Sequence, residues 1–299
     1  MIEIKGVSKR FDNVQALSKI DAKIEEGHVF GLIGTNGAGK STLMRSICGV
    51  YQPDLGEILI DGEPVYENPS AKAKVFYISD DQAFVGRTPM DMVYFYETMY
   101  SGFKRDRFLE LMDVLKLDPK RNVNTFSKGM KKQLSVLLGV SAGTKYLLCD
   151  ETFDGLDPVI RQAIKRLFAK ELVENNLTPI ITSHNLRELE DICECVGLLH
   201  KGGILFTKDL EEMKLGMFKL QIVLNSPEEL DMICKNYDVI NKSVTGSLAV
   251  ITVRGHQKDA EEIISMVNPV FHETIPLSLE EIFISETEVL GYDFTNLTR

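Results

Sequence analysis

Gly34-Thr-Asn-Gly-Ala-Gly-Lys-Ser-Thr42 fits the spacing G-x-x-x-x-G-K-[ST], with Gly34, Gly39, Lys40 and Ser41 at its fixed positions. Glycines let successive backbone N–H groups turn inward as a cradle for phosphate oxygens, and a helix that follows adds the positive end of its dipole. Lys40 is then placed to reach the β/γ-phosphates and the Ser41 hydroxyl to ligate Mg²⁺. Further along, Asp150-Glu151 closes one apolar run and Ser183-His184 closes another. Cleaving a γ-phosphate demands charge neutralisation and an in-line water more than covalent chemistry. Asp150 can hold Mg²⁺ through water alongside Ser41. Glu151, adjacent but pointing the other way, can orient or deprotonate the attacking water. His184 can contact the γ-phosphate and report its loss; a lone histidine after a strand is more often a satisfied core residue, and the company of the other motifs decides for function.

Elements must deliver these residues to one place. His28–Ile33 has the look of a short buried strand ahead of the glycine loop, and Thr42–Cys48 continues as an apolar-periodic helix. Lys145–Cys149 is a continuous apolar run ending in Asp150-Glu151, the way a buried parallel strand carries carboxylates to its C-terminal edge. Ile180–Thr182 is another such strand, and Asp154-Gly-Leu-Asp-Pro158 is a turn opening a helix that reaches Val173. Near the start, Ile2–Val7 and Ala16–Ile24 alternate as strands with Ser8–Asn13 between them, which puts Phe11 on a turn. Gly56–Ile60 and Val75–Ile78 are expected in an antiparallel layer beside the parallel core. Pro89–Tyr100 and Arg105–Leu117 are helical and belong to a helical subdomain over about 88–143. In it, Ser127 caps a helix with Leu134, Leu137, Leu138 and Ser141 on one face.

The predicted fold class is therefore α/β with a largely parallel sheet over residues 1–214. Beyond about Leu215 the order becomes β-α-β-β-α-β, a ferredoxin-like α+β arrangement over residues 215–299. No internal repeat appears, so one nucleotide-binding unit per chain is expected.

Composition narrows the classes. With 44% hydrophobic and 26% charged residues in 299, two ordinary domains are expected and disorder is not. A net charge of -10 speaks against general nucleic-acid binding. No run of about 18 apolar residues is present and the N-terminus lacks a signal-peptide pattern, so the chain is not expected to enter a membrane itself. Five scattered cysteines fit reduced, buried thiols, and Cys193-Glu-Cys195 has no second ligand pair at metal spacing.

Taken together, these residues resemble the ATP-binding-cassette (ABC) ATPases over about residues 1–210. Gly34, Asn36, Gly37, Ala38, Gly39, Lys40, Ser41 and Thr42 lie in a segment very close to that family's Walker A loop, which implies ATP and Mg²⁺ as ligands. Leu147–Glu151 looks like Walker B, Asp154–Asp157 like the D-loop with Asp157 near nucleotide, and Ser183-His184 like the switch histidine. Phe11 matches the aromatic that stacks on adenine. Phe126-Ser-Lys-Gly-Met130 stands where the signature is usually LSGGQ. Ser127 and Gly129 are kept to bind the γ-phosphate of an ATP held by a second subunit, while Lys128 replaces a glycine and puts the turnover rate in question. Thr152 replaces the usual proline. The Q-loop residue is assigned to Asp80, which also becomes a candidate Mg²⁺ ligand, with Gln82 as the alternative.

The resemblance implies a P-loop ABC ATPase domain with parallel-sheet core, antiparallel β layer and helical subdomain. An acidic Q-loop residue and Leu277-Ser-Leu-Glu-Glu-Ile-Phe283 look like the subunits of ABC-2-type exporters of drugs, bacteriocins and cytolytic peptides. The implied partners are a membrane-spanning permease subunit and a second nucleotide-binding subunit, identical or different, at the cytoplasmic face of the membrane. The rival readings are a soluble non-transport ABC ATPase and a regulatory ATP-binding module. Met90, Met92, Val93, Tyr94, Phe95, Tyr96, Met99 and Tyr100 carry more apolar surface than one core-facing stripe needs; part is expected in the core, and the rest, with Asp80, Phe84 and Val85, is expected to form the permease groove, Phe84 and Tyr96 among its exposed members. The transported substrate is not legible.

Overall fold

A strand covered on both faces has no polar side, and Phe30–Ile33 is buried at every position. In the computed structural model, which describes residues 1–81 and 83–289, this strand lies inside a six-stranded sheet. Two units separate by contact, Met1–Thr207 and the residues from Lys208 onward. The chain runs β1 (Ile2–Phe11), β2 (Val14–Ile24), β3 (Phe30–Ile33), α1 (Lys40–Ile47), β4 (Leu55–Ile60), β5 (Glu63–Pro64), α2 (Pro69–Lys72), β6 (Val75–Ile78). It continues α3 (Pro89–Met99), α4 (Arg105–Val114), α5 (Lys128–Ser141), β7 (Tyr146–Asp150), α6 (Pro158–Asn175), β8 (Thr178–Ser183), α7 (Leu186–Glu190), β9 (Cys195–His200) and β10 (Gly203–Asp209).

The six-stranded sheet has the order β10-β9-β3-β8-β7-β6, and β9, β3, β8, β7 and β6 are paired in parallel. A second sheet, β2-β1-β4-β5, is antiparallel. One core joins them: Ile2, Ile4, Leu17, Ile20, Ile58 and Ile60 from the antiparallel sheet meet Leu43, Met44 and Ile47 of α1 and Phe30, Leu32, Leu148 and Ile180 of the parallel sheet. The helix behind the glycine loop is thus locked in the main apolar core, where removing a large side chain costs about 2–5 kcal/mol.

Two expectations are corrected here. Val75–Ile78 does not join the antiparallel layer; it pairs in parallel with β7, Val75 opposite Tyr146 and Ile78 opposite Cys149, and three of its four residues are buried. A four-residue apolar run carries no sign of strand direction. The first strand does not stop at Val7 either. Register shifts between Ile4 and Arg10 let β1 continue to Phe11, which pairs with Val14 across Asp12-Asn13. Phe11 is therefore the end of a strand rather than a turn residue.

In the helical subdomain Thr88 and Asp91 form a reciprocal cap on α3, Thr88 Oγ1 accepting from Asp91 N (3.3 Å) and Asp91 Oδ2 from Thr88 N (2.8 Å). Met92, Val93, Phe108, Leu111, Met112, Leu134 and Leu138 are buried within it. Tyr94, Phe95 and Met99 stay 59%, 38% and 61% exposed. Tyr96, expected among the exposed residues, is half-buried: it stacks on Phe103 at 6.3 Å and tilts on Phe76 at 5.3 Å. Phe84 is half-buried too, whereas Val85 is exposed.

At the N-terminal edge of the parallel sheet Asp61 gathers charge. Its Oδ1 accepts from Lys145 Nζ (2.9 Å), Tyr146 Oη (2.8 Å) and the Met1 amino group (2.8 Å), with Lys74 Nζ 3.6 Å from Oδ2. Burial alone would raise its pKa, but the Met1 amino group, Lys145 and Tyr146 outweigh burial and hold the carboxyl well below the usual range.

The second unit contains α8 (Leu210–Leu215), β11 (Met217–Val223), α9 (Pro227–Asn236), β12 (Asp238–Thr245), β13 (Leu248–Arg254), α10 (Gln257–Val267), β14 (Phe271–Ile275) and α11 (Leu279–Val289). Its sheet is antiparallel with order β12-β13-β11-β14. Leu220, Ile222, Ala249, Ile251 and Val253 form its core with Ile233 of α9 and Ile263 and Val267 of α10.

Candidate functional site

The glycine loop leaves β3 at its C-terminal end and turns into α1. Thr35 O accepts from Ala38 N at 3.1 Å, Gly37 has φ 78° and Gly39 φ 107°. Only glycine suits residue 39: a Cβ there would lie 2.5 Å from Ala16 O, in a conformation L side chains disfavour. The β9–β10 turn closes on the same place, with Gly202 N donating to Ala38 O (3.0 Å) and Ser18 N to Gly202 O (2.7 Å). Asn36 and Gly37 are exposed, Ala38 is buried, and Ser41 and Thr42 are half-buried in the first turn of α1. The helix begins at Lys40, two residues before the expected Thr42.

Lys40 is 5% exposed. Its Nζ donates to Gly34 O (2.7 Å) and Thr35 O (3.3 Å) and lies 3.9 Å from Glu151 Oε1. Burial lowers its pKa, opposed by the charges of Glu151, Asp150 and Asp154. The lysine thus brings the carboxylates of the other motif to the phosphate loop.

Asp150, the last residue of β7, is 2% exposed. Its Oδ1 accepts from Thr182 Oγ1 (2.7 Å) and its Oδ2 from Tyr77 Oη (2.9 Å), which fix the plane of the carboxylate and leave each oxygen a further lone pair. Glu151 follows with φ 48°, a left-handed backbone rare for a residue with a Cβ. Its N–H is shared between Thr182 O (3.2 Å) and Thr182 Oγ1 (3.0 Å). This turn separates the two carboxylates, Asp150 buried in the sheet and Glu151 half-exposed beside Lys40. An all-oxygen donor set of serine hydroxyl and oriented carboxylate suits a hard divalent ion such as Mg²⁺.

His184 is exposed, and its Nδ1 lies 3.1 Å from Asp154 Oδ2. Ligating atoms of Glu151, Asp154 and His184 fall within 4.8 Å of one another. Ser183 Oγ donates to Asp154 Oδ1 (3.3 Å) and Glu188 Oε2 (3.2 Å). Burial raises the Glu188 pKa; Arg161, 2.9 Å away, works against that and Asp154 adds to it.

Other residues predicted from sequence lie beside this centre or away from it. Ser127 caps α5, its Oγ accepting from Met130 N at 3.2 Å, and no hydrogen bond among the described residues joins Ser127 or Gly129 to the glycine loop. Lys128, Gly129, Asp80 and Phe84 line a cleft of about 660 Å³ with Thr152 and Asp154. The Asp80 carboxylate faces Lys132 Nζ at 3.5 Å; its alternative, Gln82, lies outside the described residues. Asp157 caps α6, Oδ1 accepting from Ile160 N at 2.9 Å. Phe11, 38% exposed, rests edge-on against Tyr51 at 5.1 Å. Sequence reasoning gave no site role to Tyr77 and Thr182, took Lys132 only as part of a basic patch open to a nucleotide, and placed Asp154 in a turn resembling the D-loop without a role of its own.

A profile of the ABC transporter family matches residues 17–154. The chain is 29% identical to the ABC transporter ATP-binding protein YtrB of Bacillus subtilis over 96% of this chain and 98% of that protein. It is 31% identical to the methionine import ATP-binding protein MetN of Protochlamydia amoebophila over 71% of this chain and 67% of that one. A solved structure of the ATP-binding subunit of an ABC transporter superposes with a TM-score of 0.66 at 23% identity, covering 72% of this chain and 92% of the other. With a glycine loop, a buried lysine and an Asp-Glu pair meeting at one sheet edge, the chain belongs to the ATP-binding proteins of ABC transporters and is an ATPase, turning ATP and water into ADP and phosphate.

Proposed function

We propose that this ATPase powers export of a peptide or drug-like substrate through a separate permease subunit, as one of two nucleotide-binding subunits working as a dimer. The observation that carries the catalytic part is the Glu151 carboxylate 3.9 Å from the Lys40 ammonium at the mouth of the phosphate loop. In this reading the loop N–H groups from Gly34 to Thr42 cradle the phosphates and Lys40 turns from its carbonyls to the β/γ-phosphates. Glu151 takes the proton of the attacking water. His184, held by Asp154, meets the γ-phosphate and registers its departure. Ser41, and Asp150 through water, would hold Mg²⁺, which would offset phosphate charge. Phe11 stacks on adenine, while Ser127 and Gly129 at the start of α5 serve the nucleotide of the second subunit, with Asp80 and Asp157 at the edge of that shared site.

Export is favoured by the acidic residue at position 80 and by the segment from Leu277 to Phe283, features of the exporter subfamily the sequence resembles. We read the C-terminal unit, about residues 215–299, as a ferredoxin-like accessory domain; two helices interleaved with the strand order β12-β13-β11-β14 support this. The permease groove is assigned to the exposed flank of α3, Tyr94, Phe95 and Met99, with Val85.

The test is co-expression with a candidate membrane-spanning permease subunit. Tyr94→Glu and Met99→Glu are expected to abolish co-purification and transport while the isolated subunit keeps its ATPase activity. Transport surviving both substitutions in folded protein would remove α3 from the coupling path. Uptake into cells, rather than clearance from them, would reverse the direction.

A further inference from the structure

Glu151 has a left-handed backbone that is disfavoured for a residue with a Cβ, and its N–H is held by Thr182 of β8. Its carbonyl is held from elsewhere. Lys132, on the second turn of α5, donates from Nζ to Glu151 O (2.7 Å) and to Asp154 O (2.9 Å), and lies 3.5 Å from Asp80 Oδ1. Two of the three ammonium protons go to these carbonyls, and the Asp80 carboxylate stands by as an ion-pair partner. The two carbonyls bracket Thr152 and Phe153, so one cation closes both ends of the turn that sets the Glu151 carboxylate beside Lys40. Lys132 itself is 20% exposed in its side chain, whereas α5 is anchored independently by buried Leu134, Val136, Leu137 and Leu138. The helix does not need this lysine to stay packed.

We propose that Lys132 is a positioning residue for ATP hydrolysis: through the carbonyls of Glu151 and Asp154 it locks the left-handed turn that aims the Glu151 carboxylate, and it ties that aim to the helix that begins at Ser127. Any displacement of α5, the helix bearing the residues assigned to the partner's nucleotide, is thereby transmitted to the general base of this subunit. Removing the ammonium frees the Glu151 carbonyl and lets the residue relax toward the right-handed region, which swings the carboxylate off the attacking water. Misplacement of a reacting group by about 1 Å costs up to ~10²-fold in rate. The proposal rests on the reading of Glu151 as general base.

The experiment compares Lys132→Met, Lys132→Arg and Glu151→Gln singly, and Lys132→Met combined with Glu151→Gln, in the full chain. The readouts are ATP turnover, KM for ATP and melting temperature. Lys132→Met is expected to lower kcat roughly tenfold or more with KM and melting temperature close to wild type. Lys132→Arg, whose fork still reaches two carbonyls, should recover most of the loss. The double variant should be no slower than Glu151→Gln alone, since the group being aimed is already gone. Lys132→Gln is read in the same way if Lys132→Met does not fold. Wild-type kcat in Lys132→Met alongside an inactive Glu151→Gln overturns the proposal. So does a loss in kcat that multiplies in the double variant, or one that tracks a fall in melting temperature. Full turnover in Glu151→Gln overturns the reading of the general base itself, a distinct result.

Discussion

The two ends of β7 hold charge in opposite ways. At Tyr146 the strand starts beside Asp61, whose carboxylate is surrounded by the Met1 amino group, Lys145, Lys74 and the Tyr146 hydroxyl, an arrangement with donors to spare. Four residues later it ends in Asp150-Glu151, where one carboxylate is held by two hydroxyls, and the next sits on a left-handed backbone 3.9 Å from a lysine bonded to carbonyls. The first end is saturated and joins two sheets. At the second, both carboxylates and the Lys40 ammonium meet at one sheet edge, and Asp150 keeps a further lone pair on each oxygen. Saturation at one end supplies stability, and the grouping at the other supplies the reacting side chains.

That contrast breaks if the two ends respond alike to substitution. Glu151→Gln should lower turnover by roughly 10² or more while ATP binding and melting temperature hold, because it removes a base and little ground-state binding; a steady-state ATPase assay beside a binding titration decides it. At the other end Asp61→Asn should leave kcat unchanged and lower stability by about 1–2 kcal/mol, the side chain's 24% exposure trimming the effect through solvent screening. The pH dependence sharpens this. A carboxyl whose folded pKa is depressed contributes stability that is complete above its unfolded value and is lost as pH falls through the folded one. Wild type should therefore lose stability below about pH 4, and Asp61→Asn should show a flatter acid limb in denaturant titrations. Smallest of all, Phe11→Ala should weaken ATP by roughly 0.5–2 kcal/mol, seen as a higher KM at constant kcat. Unchanged affinity would leave Phe11 as a packing partner of Tyr51.

What could be read from sequence follows the same division. The glycine loop, the Asp-Glu pair and the cap at Ser127 are local: spacing and residue type decide them within a few positions, and the structure has these elements where the spacing put them. Of the eight elements of the C-terminal unit, the six from β11 to β14 were legible as short strands and helices bounded by turn residues, while α8 and α11 were not read as helices. Long-range partners were not. Val75–Ile78 gave no hint of joining the parallel sheet, since partner choice depends on a strand about 70 residues away. Tyr77 and Thr182 orient Asp150 only because three strands deliver them to one edge. Tyr96 and Tyr94 are indistinguishable in an aromatic-rich helix until Phe76 and Phe103 are known to cover the one and not the other.

Gly202 has a meaning for anyone wishing to move this loop into another scaffold. Its backbone bonds to Ala38 and Ser18, its φ is 80°, and a Cβ would lie 2.8 Å from Ala16 O, the same oxygen that excludes a side chain at Gly39. The nine residues of the motif are therefore not a portable part. A graft needs three separated pieces of chain, the loop itself, the middle of β2 and the turn after β9, and a designer copying Gly34 to Thr42 alone would transfer the letters without the clamp that gives them their shape.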